Sequence, residues 1–220
     1  MKPGRVALAA LVAEVTAIAL LWGRLPDRMA MHWNLAGEAN GFGSRLEVCL
    51  LGPALLIGLW AVLALVSRID PKASVPLPAD APPAEQGARD TLVAMVLAML
   101  GLLHVGTLLS SAGLLSAGPR LHALWIAAFM LVMGNVLGRV RPNFFVGIRT
   151  PWTLSDDQVW RRTHRASGRL LFAGGLVAAV LGALLPERLV FGAAIVLLAT
   201  CVAIPAVLSY FWWRGLHRDL

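Results

Sequence analysis

The sequence predicts an all-α, polytopic membrane protein: a bundle of six transmembrane helices with both termini on the cytoplasmic side. Three observations carry this. Six apolar stretches approach or exceed the roughly 17–25 residues a helix needs to cross the hydrocarbon. The whole chain is 58% hydrophobic and only 14% charged, with a mean hydropathy of +0.73, more apolar surface than a soluble domain of 220 residues can hide. Lys and Arg are also distributed unequally between the two sides of the bilayer. Helices are required because backbone amides in lipid must be satisfied within their own segment.

The predicted spans are Val6–Trp22, Leu46–Val66, Leu92–Leu115, Leu121–Leu137, Leu170–Leu185 and Leu189–Trp213. The first follows Met1–Arg5 and resembles a signal peptide, but Leu20-Leu21-Trp22-Gly23-Arg24 offers no small-x-small cleavage site, so an uncleaved span is expected. The fifth is short; it gains a turn from Ala166–Arg169 or is closed early by Pro186.

Lys2, Arg5, Arg68, Lys72, Arg89, Arg139, Arg141, Arg149, Arg161, Arg162, Arg165, Arg169, Arg214 and Arg218 fall on one side. Arg24, Arg28, Arg45, Arg120 and Arg188 fall on the other. The positive-inside rule places the first set in the cytoplasm and the loop around Met29–Gly43 outside. The net charge of +7 and pI near 10.9 then point to anionic lipid headgroups rather than to nucleic acid, because the basic residues flank apolar runs. Three units follow: a two-span unit over 1–67, a Pro-rich cytoplasmic linker over 68–90 with five prolines, and a four-span unit over 91–220. Cys49 and Cys201 both lie in apolar runs, which argues against a disulfide and against a metal site; the sequence calls for no cofactor.

In the first outward loop, Pro26 ends the first helix, and Gly37 to Gly43 form a turn-rich run. Between them His32, Trp33 and Asn34 suit a short extended or interfacial segment, with Trp33 at headgroup level. Inside the first span, Glu14 costs about 2.5–3.5 kcal/mol at the bilayer centre unless it finds a partner; His104, His122 and Asn135 are the candidates. A structural hydrogen-bonded pair is favoured over a metal or proton site, since no HExxH string is present.

The cytoplasmic loop 139–169 is the richest stretch, with seven of the nineteen basic residues. Pro142 stops the fourth helix. Asn143 to Ile148 is short and apolar, as expected of an interfacial segment, and Arg149-Thr150-Pro151-Trp152 reads as a turn. Ser155-Asp156-Asp157-Gln158 reads as a capping box, so a basic amphipathic helix is predicted over about Asp156–Ser167, lying on or entering the membrane surface. Trp160, His164 and Ser167 share one of its faces. Charge alone explains the arginines but not Asn143, Gly147, Thr150 and Pro151, which imply a shaped loop. Arg141 and Arg149 are suited to two-toothed binding of phosphate or carboxylate. No catalytic set accompanies them.

The string RPNFFVGIRTPWTLSDDQVWRRTHRASGRL resembles the signature of the SdpI family of bacterial membrane proteins. LPDRMAMHWNLAGEANGFGSR resembles the domain of unknown function that precedes it, whose Pro…His-Trp-Asn-x-x-Gly pattern falls on Pro26, His32, Trp33, Asn34 and Gly37, with a loose spacing after Pro26. The resemblance implies a non-enzymatic, multi-pass immunity protein of the bacterial inner membrane. It implies protection against a secreted, membrane-active toxin peptide and capture of a small transcriptional repressor at the membrane. On that basis His32, Trp33, Asn34 and Gly37 lie on the toxin side. Arg141, Pro142, Asn143, Gly147, Arg149, Thr150, Pro151, Trp152, Trp160 and His164 form the cytoplasmic signature. The residues leave two further readings: a small transporter or lipid-handling protein using Glu14, His104 and the other intramembrane histidine, and a purely structural subunit.

Overall fold

The computed structural model describes residues 2–71, 87–116 and 118–217. The expected proline-rich linker falls mainly on residues 72–86, outside that set. Among the described residues six helices are long and apolar enough to cross a membrane, and the chain is a multi-pass helical bundle.

Helix α1 (Pro3–Leu21) starts with proline in its first turn, where a missing N–H costs nothing. A 3₁₀ turn, Trp22–Arg24, extends it. Strands β1 (Arg28–Trp33) and β2 (Ala39–Ser44) then form an antiparallel hairpin. The extended segment expected from the sequence is therefore paired, and the glycine-rich run read as turn supplies its partner strand. Helix α2 (Arg45–Ile69) begins at the residue after β2. Ser44 and Glu47 close a capping box there, with the Ser44 N–H donating to Glu47 Oε2 at 2.6 Å. Helices α3 (Ala88–Ser111) and α4 (Pro119–Leu137) follow.

After α4 the chain forms an irregular loop, a single turn α5 (Pro151–Ser155), then α6 (Asp157–Leu184) and α7 (Glu187–Leu216). The amphipathic helix and the fifth span are one continuous rod. Its N-cap is Asp156, which accepts the N–H groups of Gln158 and Val159, rather than Ser155. The fifth span thus gains not one turn but a long N-terminal extension, and Pro186 caps α7.

Two packed groups of helices build the bundle. Helices α1, α2 and α3 enclose Ala7, Leu56, Val93 and Leu97. Nearer the hairpin, Leu21, Leu25, Met29, Val48 and Leu108 form a second cluster. Helices α4, α6 and α7 enclose Met130, Met133, Trp160, Leu171 and Cys201. Between α4 and α6 the backbones touch. A Cβ on Gly175 would stand 2.9 Å from the Leu131 nitrogen, and one on Gly168 3.0 Å from the Gly134 oxygen. In lipid, where apolar side chains gain little by leaving their surroundings, such close contact of small residues drives association. Leu20, Leu184 and Val196 are among many large apolar residues left exposed, as lipid-facing positions are.

Candidate functional site

Helices α2 and α4 both run from the hairpin end of the bundle to the loop end, so the two sequence motifs lie at opposite ends of the same rods. At the hairpin end, Asn34 shapes the turn. Its amide donates to Glu38 Oε2 at 3.0 Å and its side-chain oxygen accepts the Glu38 N–H at 3.0 Å. Its carbonyl accepts the N–H of Gly37. Gly37 sits at φ +77°, and a Cβ there would overlap Pro119, so the turn rests on the start of α4. Trp33 packs at 4.7 Å on His122 of α4, and His122 in turn meets Phe191 of α7. Trp33 therefore docks the hairpin, where the sequence placed it at headgroup level. His32 differs from both: it is exposed, and its Nδ1 lies 2.6 Å from Asn40 Oδ1 across the hairpin.

Below the hairpin, Trp33, Leu103, His122 and Trp125 wall two adjoining cavities of about 290 and 540 Å³. His104 lines the larger one. Its Nε2 donates to the Val48 carbonyl at 3.1 Å, and its Nδ1 lies 3.3 Å from Glu14 Oε1. Of the three partners considered for Glu14, the structure brings up His104. His122 turns to Trp33, and Asn135 accepts from Arg139. Glu14 is completely buried, and neither of its oxygens receives a well-aligned hydrogen bond. A Cβ on Gly52 would overlap the His104 ring, so the glycine admits the histidine into α2.

At the loop end, the segment expected at the membrane interface is folded onto α6. Asn143 is 2% exposed and fully used. Its oxygen accepts from Phe145 and Val146, and its amide donates to the carbonyls of Arg141 and Val146. The Ile148 N–H donates to His164 Nε2 at 2.9 Å. Nε2 is therefore the bare nitrogen, and Nδ1 carries the proton it donates to the Trp160 carbonyl. Trp160 stacks on His164 at 4.0 Å and donates its indole N–H to Val140. Gly147 has φ +121°, and a Cβ there would overlap His164 Nε2. The Trp160–His164–Ser167 face is thus buried inside the bundle and does not lie on a membrane surface.

Arg149 donates to the Phe144 carbonyl at 3.0 Å and so helps to hold the loop. Thr150 and Thr153 cap α5 reciprocally, with Pro151 at its first position. Thr150 Oγ1 also meets Ser209 of α7 at 2.9 Å, and Trp152 packs edge-on against Tyr210 at 5.1 Å. Arg141 and Pro142 are half-buried beside this network. The Arg161, Arg165 and Arg169 side chains are exposed, and Arg162 lies over the Trp212 ring at 4.9 Å. Sequence reasoning missed Asp70. This α2 cap is fully buried and accepts the Phe144 N–H at 3.2 Å. Only its place at the end of an apolar run hinted at a role.

Comparison with known proteins follows these two ends of the chain. The sequence profile of the SdpI/YfhL protein family matches residues 139–212, the loop with α5, α6 and most of α7. That of Domain of unknown function (DUF1648) matches residues 9–57, which hold the hairpin. "Immunity protein SdpI" of Bacillus subtilis (strain 168) is 30% identical over 122 residues, 56% of this chain and 58% of that protein. The match thus spans less than two thirds of that relative. "Uncharacterized protein YfhL" of the same organism is 32% identical over 77 residues, 33% of this chain and 70% of that protein. No solved structure matches. The loop locked onto α6 by His164, the hairpin docked by Trp33 and these relatives agree: the chain belongs to the SdpI/YfhL protein family.

Proposed function

We propose that the chain is a non-catalytic immunity protein of a bacterial cell membrane, one that protects against a secreted, membrane-active toxin peptide. The distribution of arginines favours the hairpin outside and loop 139–169 in the cytoplasm. The observation that carries the reading is the division of labour in the hairpin. Asn34 and Trp33 are spent on the turn and its docking, which leaves His32 ordered, exposed and available to a partner. At the other end the exposed arginines of α6 are the surface offered to a small DNA-binding repressor, which would be held by protein contacts rather than through nucleic acid.

Survival of cells expressing the chain, challenged with the toxin peptide, tests this. His32→Ala is expected to lower protection by about tenfold, the cost of one ~1.4 kcal/mol contact, with unchanged amounts of membrane-inserted protein. Full protection in His32→Ala would sink the hairpin as the toxin site.

Burial of Glu14 without an aligned donor favours a second reading, a small transporter. Glu14→Gln separates the two. Loss of function with normal insertion supports transport, and retained protection supports immunity.

A further inference from the structure

The two cavities under the hairpin differ in chemistry and share a wall. The smaller, about 290 Å³, is lined by Arg28, Thr107, Ser110, Ser111, His122 and Trp125. The larger, about 540 Å³, is walled by Leu51, Leu55, Met99, Ile126 and Phe129. Leu103, Trp33 and Trp125 belong to both. Among the described residues no Asp or Glu lines either one.

The hydrogen-bond inventory of the smaller chamber favours an anion. Arg28 brings a positive charge with several N–H donors, and Ser110, Ser111 and Trp125 are residues that carry neutral donor groups. Thr107 already donates to the Leu103 carbonyl at 3.0 Å, and His122 Nδ1 donates to the Gly118 carbonyl at 3.2 Å. Arg28 is held in place by its stack on Phe42, 5.0 Å from the ring centroid. The smaller chamber has room for roughly ten water volumes, which suits a phosphate headgroup. The larger lies between α2, α3 and α4 in membrane-spanning segments and is of the size of sites that take small apolar ligands.

We propose that the two chambers form one site for an anionic membrane lipid. Its phosphate meets Arg28, Ser110 and Ser111 under the hairpin, and one acyl chain lies in the apolar chamber. The positive charge of the polar chamber and its place directly against an apolar one select this occupant over a wholly apolar molecule. The site goes beyond the immunity reading and does not depend on it.

The test uses the full chain in zwitterionic detergent, titrated with phosphatidylglycerol or with phosphatidylcholine, each brominated on its acyl chains. Bromine quenches nearby tryptophan, and the share due to the site is the part lost in Trp125→Phe. Phosphatidylglycerol is expected to saturate this quenching at a concentration at least fivefold lower than phosphatidylcholine. Arg28→Gln is expected to abolish that preference, and Leu103→Phe, in the shared wall, to reduce quenching by both lipids. Should Arg28→Gln fail to fold, the Ser110→Ala, Ser111→Ala double variant replaces it, with at least a twofold loss of preference expected. Equal potency of the two lipids, or a preference that survives loss of the polar groups, overturns the proposal. So does quenching that follows protein rather than lipid concentration, since a second copy would then close the groove.

Discussion

The backbone N–H of Phe144 donates to the carboxylate of Asp70, 74 residues earlier and at the end of another helix. Helix α2 thus begins at the hairpin, through the Ser44 cap, and ends on the signature loop, a rod of about 37 Å at 1.5 Å per residue. Asp70→Ala is expected to lower stability by about 1–3 kcal/mol, the cost of leaving a partly buried amide unpaired. Asp70→Asn keeps an acceptor oxygen and should lose less. Thermal unfolding of the two variants in detergent ranks them. Faster tryptic cleavage after Arg149 in Asp70→Ala would show that the loop, rather than the bundle, is released.

Gly147→Ala combines two penalties. Its φ of +121° disfavours any L side chain, and the new methyl would run into His164 Nε2. A loss of about 1–3 kcal/mol is expected from backbone strain alone, with more from displacing the imidazole. An unfolding midpoint equal to that of the unchanged chain would show that the loop does not sit on His164.

His164 joins three pieces at once: the Ile148 amide, the Trp160 carbonyl and the Trp160 ring. His164→Phe keeps the ring and removes both hydrogen bonds. About 1–3 kcal/mol should be lost, chiefly from the Ile148 N–H left without its acceptor, since the Trp160 carbonyl keeps its helical N–H within α6. The measurement is the unfolding free energy, together with the near-ultraviolet dichroism of Trp160, which should weaken. An unchanged spectrum would deny the stack its dependence on those bonds.

Helices α4 and α6 meet backbone to backbone at Gly134 and Gly168. Gly134→Leu has no space and should force the helices apart, at a cost of about 1–3 kcal/mol or more from overpacking. Gly23→Leu, where no atom stands within 4 Å of an added Cβ, is the control and should leave stability unchanged. Equal behaviour of the two would mean that the helices tolerate separation.

The spans, the existence of a shaped loop and the presence of a buried partner for Glu14 were legible in the residues. Length, hydropathy and the cost of an unpaired group in lipid are properties of short stretches of chain. Which partner Glu14 takes was not legible, because His104, His122 and Asn135 are equivalent until three helices are placed. The hairpin escaped for a related reason. Ala39 to Ser44 carries four small residues and no run of β-branched ones, so its strand pairing comes from β1 rather than from local preference.

The sequence by itself determined that this chain crosses a bilayer six times and that its two unusual strings lie in loops between apolar runs. Only the tertiary structure decided what those strings do. It set Asn34, Trp33, Asn143 and His164 to hold backbone, left His32 exposed, and brought Asp70 to Phe144. The reason is physical. Apolar length acts within one segment, whereas a hydrogen bond between residues 74 apart exists only after packing has fixed both of its ends.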